Sequence, residues 1–152
     1  MKPKVLVVDD ELSALALLTS VLEAGVDVLT AENGQQAIAS AIAAQPELIL
    51  LDADLPDMSG FEVCRRLKEE PKTQQIPIIF LTGFDDLLFE IQAFEAGAVD
   101  YVVKSVSPVR VLMRVRAHIK NGRDIEFGNI SPLVKSYLEK AVREKSSTSE
   151  IE

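Results

Sequence analysis

Apolar and polar positions alternate along this chain in two rhythms. Short apolar runs rich in β-branched residues fall at 4–8, 26–31, 47–51, 77–81 and 99–103, and each predicts a strand. Near 12–24, 34–44, 60–69, 86–96 and 108–120, apolar residues instead recur at helical spacing. Three of the five strand runs are almost continuously apolar, as strands are when helices cover both faces of a parallel sheet. Ser107-Pro108 reads as a helix start, because Ser can cap and Pro fits the first turn. Gly25 and Gly97 stand where helices should stop. The alternation predicts an α/β fold: a doubly wound, five-stranded parallel sheet, (βα)₅, with right-handed crossovers.

After Asn121-Gly122 the pattern changes. A polar stretch gives way to Ile130, Leu133, Val134, Tyr137, Leu138, Ala141 and Val142 at helical spacing, with Ser131-Pro132 as the start. The stretch from 146 to the end is polar and expected to be disordered. Residues 1–121 therefore read as one domain, and 122–152 as a C-terminal extension: a linker, an amphipathic helix and a disordered tail. An isolated helix of that length is marginal in water, so its apolar face should be buried. Pairing with a second copy of the chain is the favoured expectation; packing on its own domain and continuing into an output domain are the alternatives.

The 152-residue length suits one domain with a modest extension, and 47% apolar residues suffice for an ordinary core. Cys64 is the sole cysteine, which rules out an internal disulfide and fits a reducing compartment. No apolar run approaches the roughly 20 residues that span a bilayer. The four apolar residues before Asp9 are too few for a signal peptide. The expectation is a cytoplasmic protein with no membrane partner. The net charge of −8 comes without a basic stripe, so direct nucleic-acid binding is not expected.

Ligands of open α/β sheets bind beyond the carboxyl ends of the strands. The polar residues at those ends are Asp9, Asp10 and Glu11 after the first strand, Asp52 after the third, Thr82 at the fourth and Lys104 after the fifth. Carboxylates gathered at one edge repel one another. A hard divalent cation removes the conflict, and Mg²⁺ suits a few carboxylate oxygens, with waters and phosphate oxygens completing its shell. Thr82 and Lys104 can then meet the oxygens of an incoming phosphoryl group.

This set resembles the receiver domain of bacterial two-component systems over about residues 3–120. The resemblance rests on Asp9-Asp10 after an apolar strand, and on Asp52-Ala-Asp-Leu-Pro-Asp-Met-Ser-Gly60, close to the family pattern Asp-x-x-hydrophobic-Pro-x-Met-x-Gly. Leu81-Thr82 and Ala98-Val-Asp-Tyr-Val-Val-Lys104 complete it. It implies a flavodoxin-like sheet of order 2-1-3-4-5 and a module that accepts a phosphoryl group from a histidine kinase or phosphotransfer protein. By the same resemblance, Asp52 is the phosphoacceptor, and Asp9, Asp10, Asp52 and the backbone carbonyl of Asp54 hold Mg²⁺. Thr82 and Lys104 bind the phosphoryl oxygens, and Tyr101 is a switch aromatic that turns inward as Thr82 moves. One departure stands out. The family usually places a cis Pro after the last lysine, whereas this chain has Ser105, so a trans peptide and an adjusted loop are expected.

Other readings fit less well. Asp52-Ala-Asp54 also matches the start of a haloacid-dehalogenase phosphatase motif, but Pro56 replaces the usual Thr or Val, and 152 residues leave no room for a cap domain. An EF-hand loop fails at Pro56 and Asp57. A metal-dependent hydrolase would need a separate base, and a degenerate receiver would not keep the full set. Asp54 and Asp57 are thus read as solvated loop residues. His118 lacks the neighbours of a phospho-donor histidine and reads as the end of a helix. Cys64 is expected to pack one face of the third helix. Leu87, Ile91 and Phe94 of the fourth are expected in the core, with Leu88 or Phe89 on a partner surface. Phe84, two residues after Thr82, and Asp54 are expected to slow loss of the phosphoryl group.

Overall fold

The computed structural model describes residues 2–83, 85–104 and 108–122. The expectations for Phe84, the Lys104–Ser105 peptide, the Ser107 cap and the stripe from Ile130 to Val142 lie outside these residues.

Five strands, β1 (Lys4–Val8), β2 (Asp27–Ala31), β3 (Leu48–Leu51), β4 (Ile78–Thr82) and β5 (Asp100–Val103), form one parallel sheet in the order β2-β1-β3-β4-β5. Each strand is followed by a helix: α1 (Leu12–Leu22), α2 (Gly34–Ala44), α3 (Gly60–Glu69), α4 (Leu87–Glu95) and α5 (Pro108–His118). The order and the parallel pairing are those the resemblance implied. Strand limits move by a residue at most, so Val26, Glu47, Pro77 and Val99 fall just outside and Thr82 falls inside.

Because side chains alternate along a strand, the sheet supports two cores. On one face Leu6, Val8, Ile49, Leu51, Ile78 and Phe80 meet the small side chains of α2 and α4 and Val63, Cys64 and Leu67 of α3. On the other, Val5, Val7, Leu48, Leu50, Ile79 and Leu81 meet α1 and α5. β3 and β4 are buried along their full length, whereas of the edge strands β5 alternates between buried and half-buried residues and β2 is fully buried only at Ala31. Continuous apolar character therefore marks the centre of the sheet. Cys64 is buried as expected and its thiol donates to the Ala96 carbonyl at 3.3 Å.

The glycine stops act differently from each other. Gly97 adopts φ +109° beyond the end of α4, a conformation that favours glycine. At Gly25 the helix has already ended, and its N–H closes the turn on the Leu22 carbonyl.

The expectation for α4 is overturned. Leu87, Ile91 and Phe94 are exposed, and Ala93 is the buried residue of the helix. Ala93, with Ala96 and Ala98 beyond, brings the chain close to the sheet, and the large side chains turn away. Leu88 is exposed as well, while Phe89 is half-buried and leans on Phe61, with ring centroids 5.8 Å apart.

Candidate functional site

The last ladder bonds of the central strands deliver the site. The Asp9 N–H donates to Ala31 at 3.1 Å, and the Asp52 N–H donates to Val8 at 3.0 Å. Val8 pairs with Leu51, so the residues that follow them, Asp9 and Asp52, emerge side by side. Carboxylate oxygens of Asp9, Asp10 and Asp52 lie within 4.8 Å of one another. Asp9 and Asp52 are buried and Asp10 is exposed.

Lys104 arrives from β5. Its N–H donates to the Thr82 carbonyl at 2.6 Å, and its ammonium Nζ stands 2.6 Å from Asp9 Oδ2 and 3.2 Å from Asp52 Oδ2. Asp9 Oδ1 accepts from the Glu11 N–H at 3.0 Å, and Asp52 Oδ1 from the Asp54 N–H at 3.3 Å. Thr82 is fully buried at the end of β4. Tyr101 is half-buried and packs against the Phe80 side of the core. Asp9, Asp10, Asp52, Thr82 and Lys104 are thus gathered at one edge of the sheet.

Burial pushes the Asp52 carboxyl above its ordinary range, helped by the Asp9 charge and opposed by Lys104 and the Asp54 N–H. Burial alone would lower Lys104, but its hydrogen bond to Asp9 and the two carboxylate charges outweigh that, and its value ends raised. One ammonium among three carboxylates leaves the site negative. An all-oxygen donor set of this charge fits a hard divalent cation such as Mg²⁺.

The loop after Asp52 is closely held. Asp54 and Ser59 form an antiparallel bridge, and the Gly60 N–H donates to Ala53 at 2.8 Å. A Cβ on Gly60 would fall 2.3 Å from the Asp52 carbonyl oxygen, which explains a glycine there. The Ser59 hydroxyl accepts from the Glu62 N–H and caps α3. Asp54 is exposed, in line with a solvated residue.

Asp57 is not merely solvated. Its carboxylate accepts from the Gly34 N–H at 2.7 Å and the Gln35 N–H at 3.0 Å, at the start of α2. These bonds, that to Gly34 foremost, hold its carboxyl below the ordinary range. Sequence reading missed this because the partners lie 23 and 22 residues away. A signal existed: α2 begins with Gly34 and has no acid of its own in its first turn.

His118 ends α5 as expected, but its Nε2 also lies 3.1 Å from Asp100 Oδ2. The buried Asp100, missed by sequence reading, also takes Arg114 Nη1 at 3.1 Å and the Tyr101 N–H at 2.8 Å. This cluster begins β5, at the opposite edge of the sheet from Lys104, and ties the strand to α5.

A family model described as the response regulator receiver domain matches residues 5–116. The chain is 40% identical over 136 residues to the transcriptional regulatory protein ResD of Bacillus subtilis (strain 168), covering 89% of this chain and 55% of that protein. It is 40% identical over 119 residues to the DNA-binding dual master transcriptional regulator RpaA of Synechocystis, covering 78% and 49%. It spans about half the length of these relatives. Among solved structures, the chemotaxis protein CheY4 of Vibrio cholerae matches with a TM-score of 0.74 at 28% identity, over 78% of this chain and 100% of that one. A putative response regulator from Chloroflexus aurantiacus J-10-fl matches with a TM-score of 0.74 at 33% identity, over 77% and 97%. The chain belongs to the response regulator receiver family, the signalling modules of two-component systems that are phosphorylated on an aspartate.

Proposed function

We propose that Asp52 is the phosphoacceptor and that Asp9, Asp10, Asp52 and the Asp54 carbonyl hold Mg²⁺. The observation that carries this reading is the meeting of Asp9, Asp52 and Lys104 at the carboxyl edge of the sheet. An Asp52 carboxylate oxygen attacks phosphorus. The bond from phosphorus to the donor breaks, the donor keeps its electron pair, and a carboxyl–phosphate anhydride forms. When bound, Mg²⁺ neutralises charge on the transferred group. Lys104 has three donors; among the described residues Asp9 and Asp52 take two, and the third serves a phosphoryl oxygen. The Thr82 hydroxyl binds another, and Tyr101 follows it inward as the switch aromatic. The added charge and acceptor oxygens drive that change.

The donor is a histidine kinase or a phosphotransfer protein, and the chain acts as a signalling receiver rather than a conventional enzyme. Residues 1–121 form the receiver. Residues 122–152 form an extension whose apolar stripe joins two copies of the chain, a reading supported by the helical spacing from Ile130 to Val142. Comparing the solution mass of the full chain with that of one ending at residue 128 tests it; two monomers at high concentration overturn it. The net charge of −8 disfavours direct nucleic-acid contact by this chain itself. A cytoplasmic setting agrees with the absence, among the described residues, of a helix long and apolar enough to cross a membrane.

Incubation with a small acyl phosphate donor and Mg²⁺, read by intact mass, tests the phosphoacceptor. The full chain should gain one phosphoryl group and Asp52→Asn none. Full labelling of that variant, or no labelling of the native chain, overturns the reading.

A further inference from the structure

α2 has three N–H groups at its start that its own turns cannot satisfy. The Asn33 side chain takes one, from Gln36, at 2.9 Å. The other two, on Gly34 and Gln35, go to Asp57, a residue of the loop that follows Asp52. Met58 presses on the same place: a Cβ on Gly34 would fall 2.5 Å from Met58 Cγ. The loop is therefore pinned twice, by the Asp54–Ser59 bridge at its base and by Asp57 and Met58 at its tip. The strand before α2 ends in Ala31, whose carbonyl accepts the Asp9 N–H. Asp57 thus ties the segment bearing Asp52 and Asp54 to the segment that holds Asp9 in place.

We propose that Asp57 is a positioning residue for the phosphoacceptor site: by clasping the start of α2 it sets the spacing between the Asp54 carbonyl and the Asp9 and Asp52 carboxylates. This rests on the Mg²⁺ site proposed above. Asp57 touches neither the cation nor the phosphoryl group; it acts through the loop. A negative carboxylate suits the task, because two backbone donors and the positive end of a helix hold it.

An ordinary helix cap would also stabilise the fold, so the test must separate the two roles. Asn33→Ala removes a cap from the same helix turn without touching the loop and serves as the comparison. The full-length native chain, Asp57→Ala, Asp57→Asn and Asn33→Ala are titrated with Mg²⁺ by calorimetry, and each is melted and labelled with the acyl phosphate donor. Residues that orient metal ligands from behind typically matter by roughly 10-fold in affinity or more. Asp57→Ala should weaken Mg²⁺ binding by about that factor and raise the Mg²⁺ concentration needed for half-maximal labelling in parallel. Asp57→Asn, which keeps one acceptor oxygen, should recover part of the loss. Asn33→Ala should melt lower yet bind Mg²⁺ as the native chain does. Unchanged Mg²⁺ affinity in Asp57→Ala, or an equal loss in Asn33→Ala, overturns the inference while leaving the phosphoacceptor reading intact. A native chain that neither binds Mg²⁺ nor accepts phosphate overturns both.

Discussion

Lys104 holds Asp9 more closely than it holds Asp52: its Nζ stands 2.6 Å from Asp9 Oδ2 and 3.2 Å from Asp52 Oδ2. Asp9 is the more deeply buried of the two carboxylates, so it depends more on a cation at hand. Lys104→Ala should therefore destabilise the Mg²⁺-free protein by about 1–3 kcal/mol, the usual cost of stranding a buried polar group. Saturating Mg²⁺ should recover part of that loss. Urea melts with and without Mg²⁺ check it; an equal loss in both would mean that the cation does not share these carboxylates.

The Asp52 carboxyl titrates higher in the folded chain than its ordinary value, chiefly through burial. A group that holds its proton more tightly when folded favours folding at low pH. That contribution is complete below the ordinary carboxylate value and is lost as pH rises through the raised one. Near neutral pH the ionised, buried Asp52 thus works against the fold. Asp52→Asn should raise the melting temperature of the Mg²⁺-free protein by a few degrees, or about 1 kcal/mol. The gain should shrink as the pH is lowered towards about 4. A lower melting temperature at neutral pH would mean that the contact with Lys104 outweighs burial.

Gly60 and Gly83 make a matched pair. A Cβ on Gly60 meets backbone, 2.3 Å from the Asp52 carbonyl oxygen, whereas a Cβ on Gly83 has nothing within 4 Å among the described residues. Gly60→Ala should cost about 1–3 kcal/mol, as forced overpacking does, and should slow labelling by displacing Asp52. Gly83→Ala should do neither. Denaturant melts and labelling rates on both variants decide the point.

Cys64 is buried in α3, and burial pushes its thiol up to about 11. The native protein should resist a thiol alkylating agent at mildly alkaline pH over a period that labels the denatured chain completely. Rapid native labelling would mean that α3 opens locally.

Much of this was legible in advance, for physical reasons. Runs such as Leu48–Leu51 are buried on both faces, so they are apolar throughout and announce the centre of the sheet. Asp9, Asp52, Thr82 and Lys104 were legible as a group because strand ends at one edge converge whatever the loops do. Two things were hidden. In α4, spacing pointed to Leu87, Ile91 and Phe94, but close approach to the sheet selects small side chains, and Ala93 carries little weight in a hydropathy pattern. The partners of Asp57 and Asp100 lie on other elements, and local sequence does not record such distant contacts.

A helix is held in place by what it would have to expose on leaving. α1, α3 and α5 each bury four residues, and α4 buries only Ala93. The least firmly held helix of the set therefore follows directly on the segment after Thr82, the residue proposed above to bind the phosphoryl group. A modest pull at the sheet edge can shift α4 while leaving its neighbours seated. Its amide hydrogens should exchange with solvent through small local openings, whereas those of β1 and β3 should wait until the whole sheet comes apart.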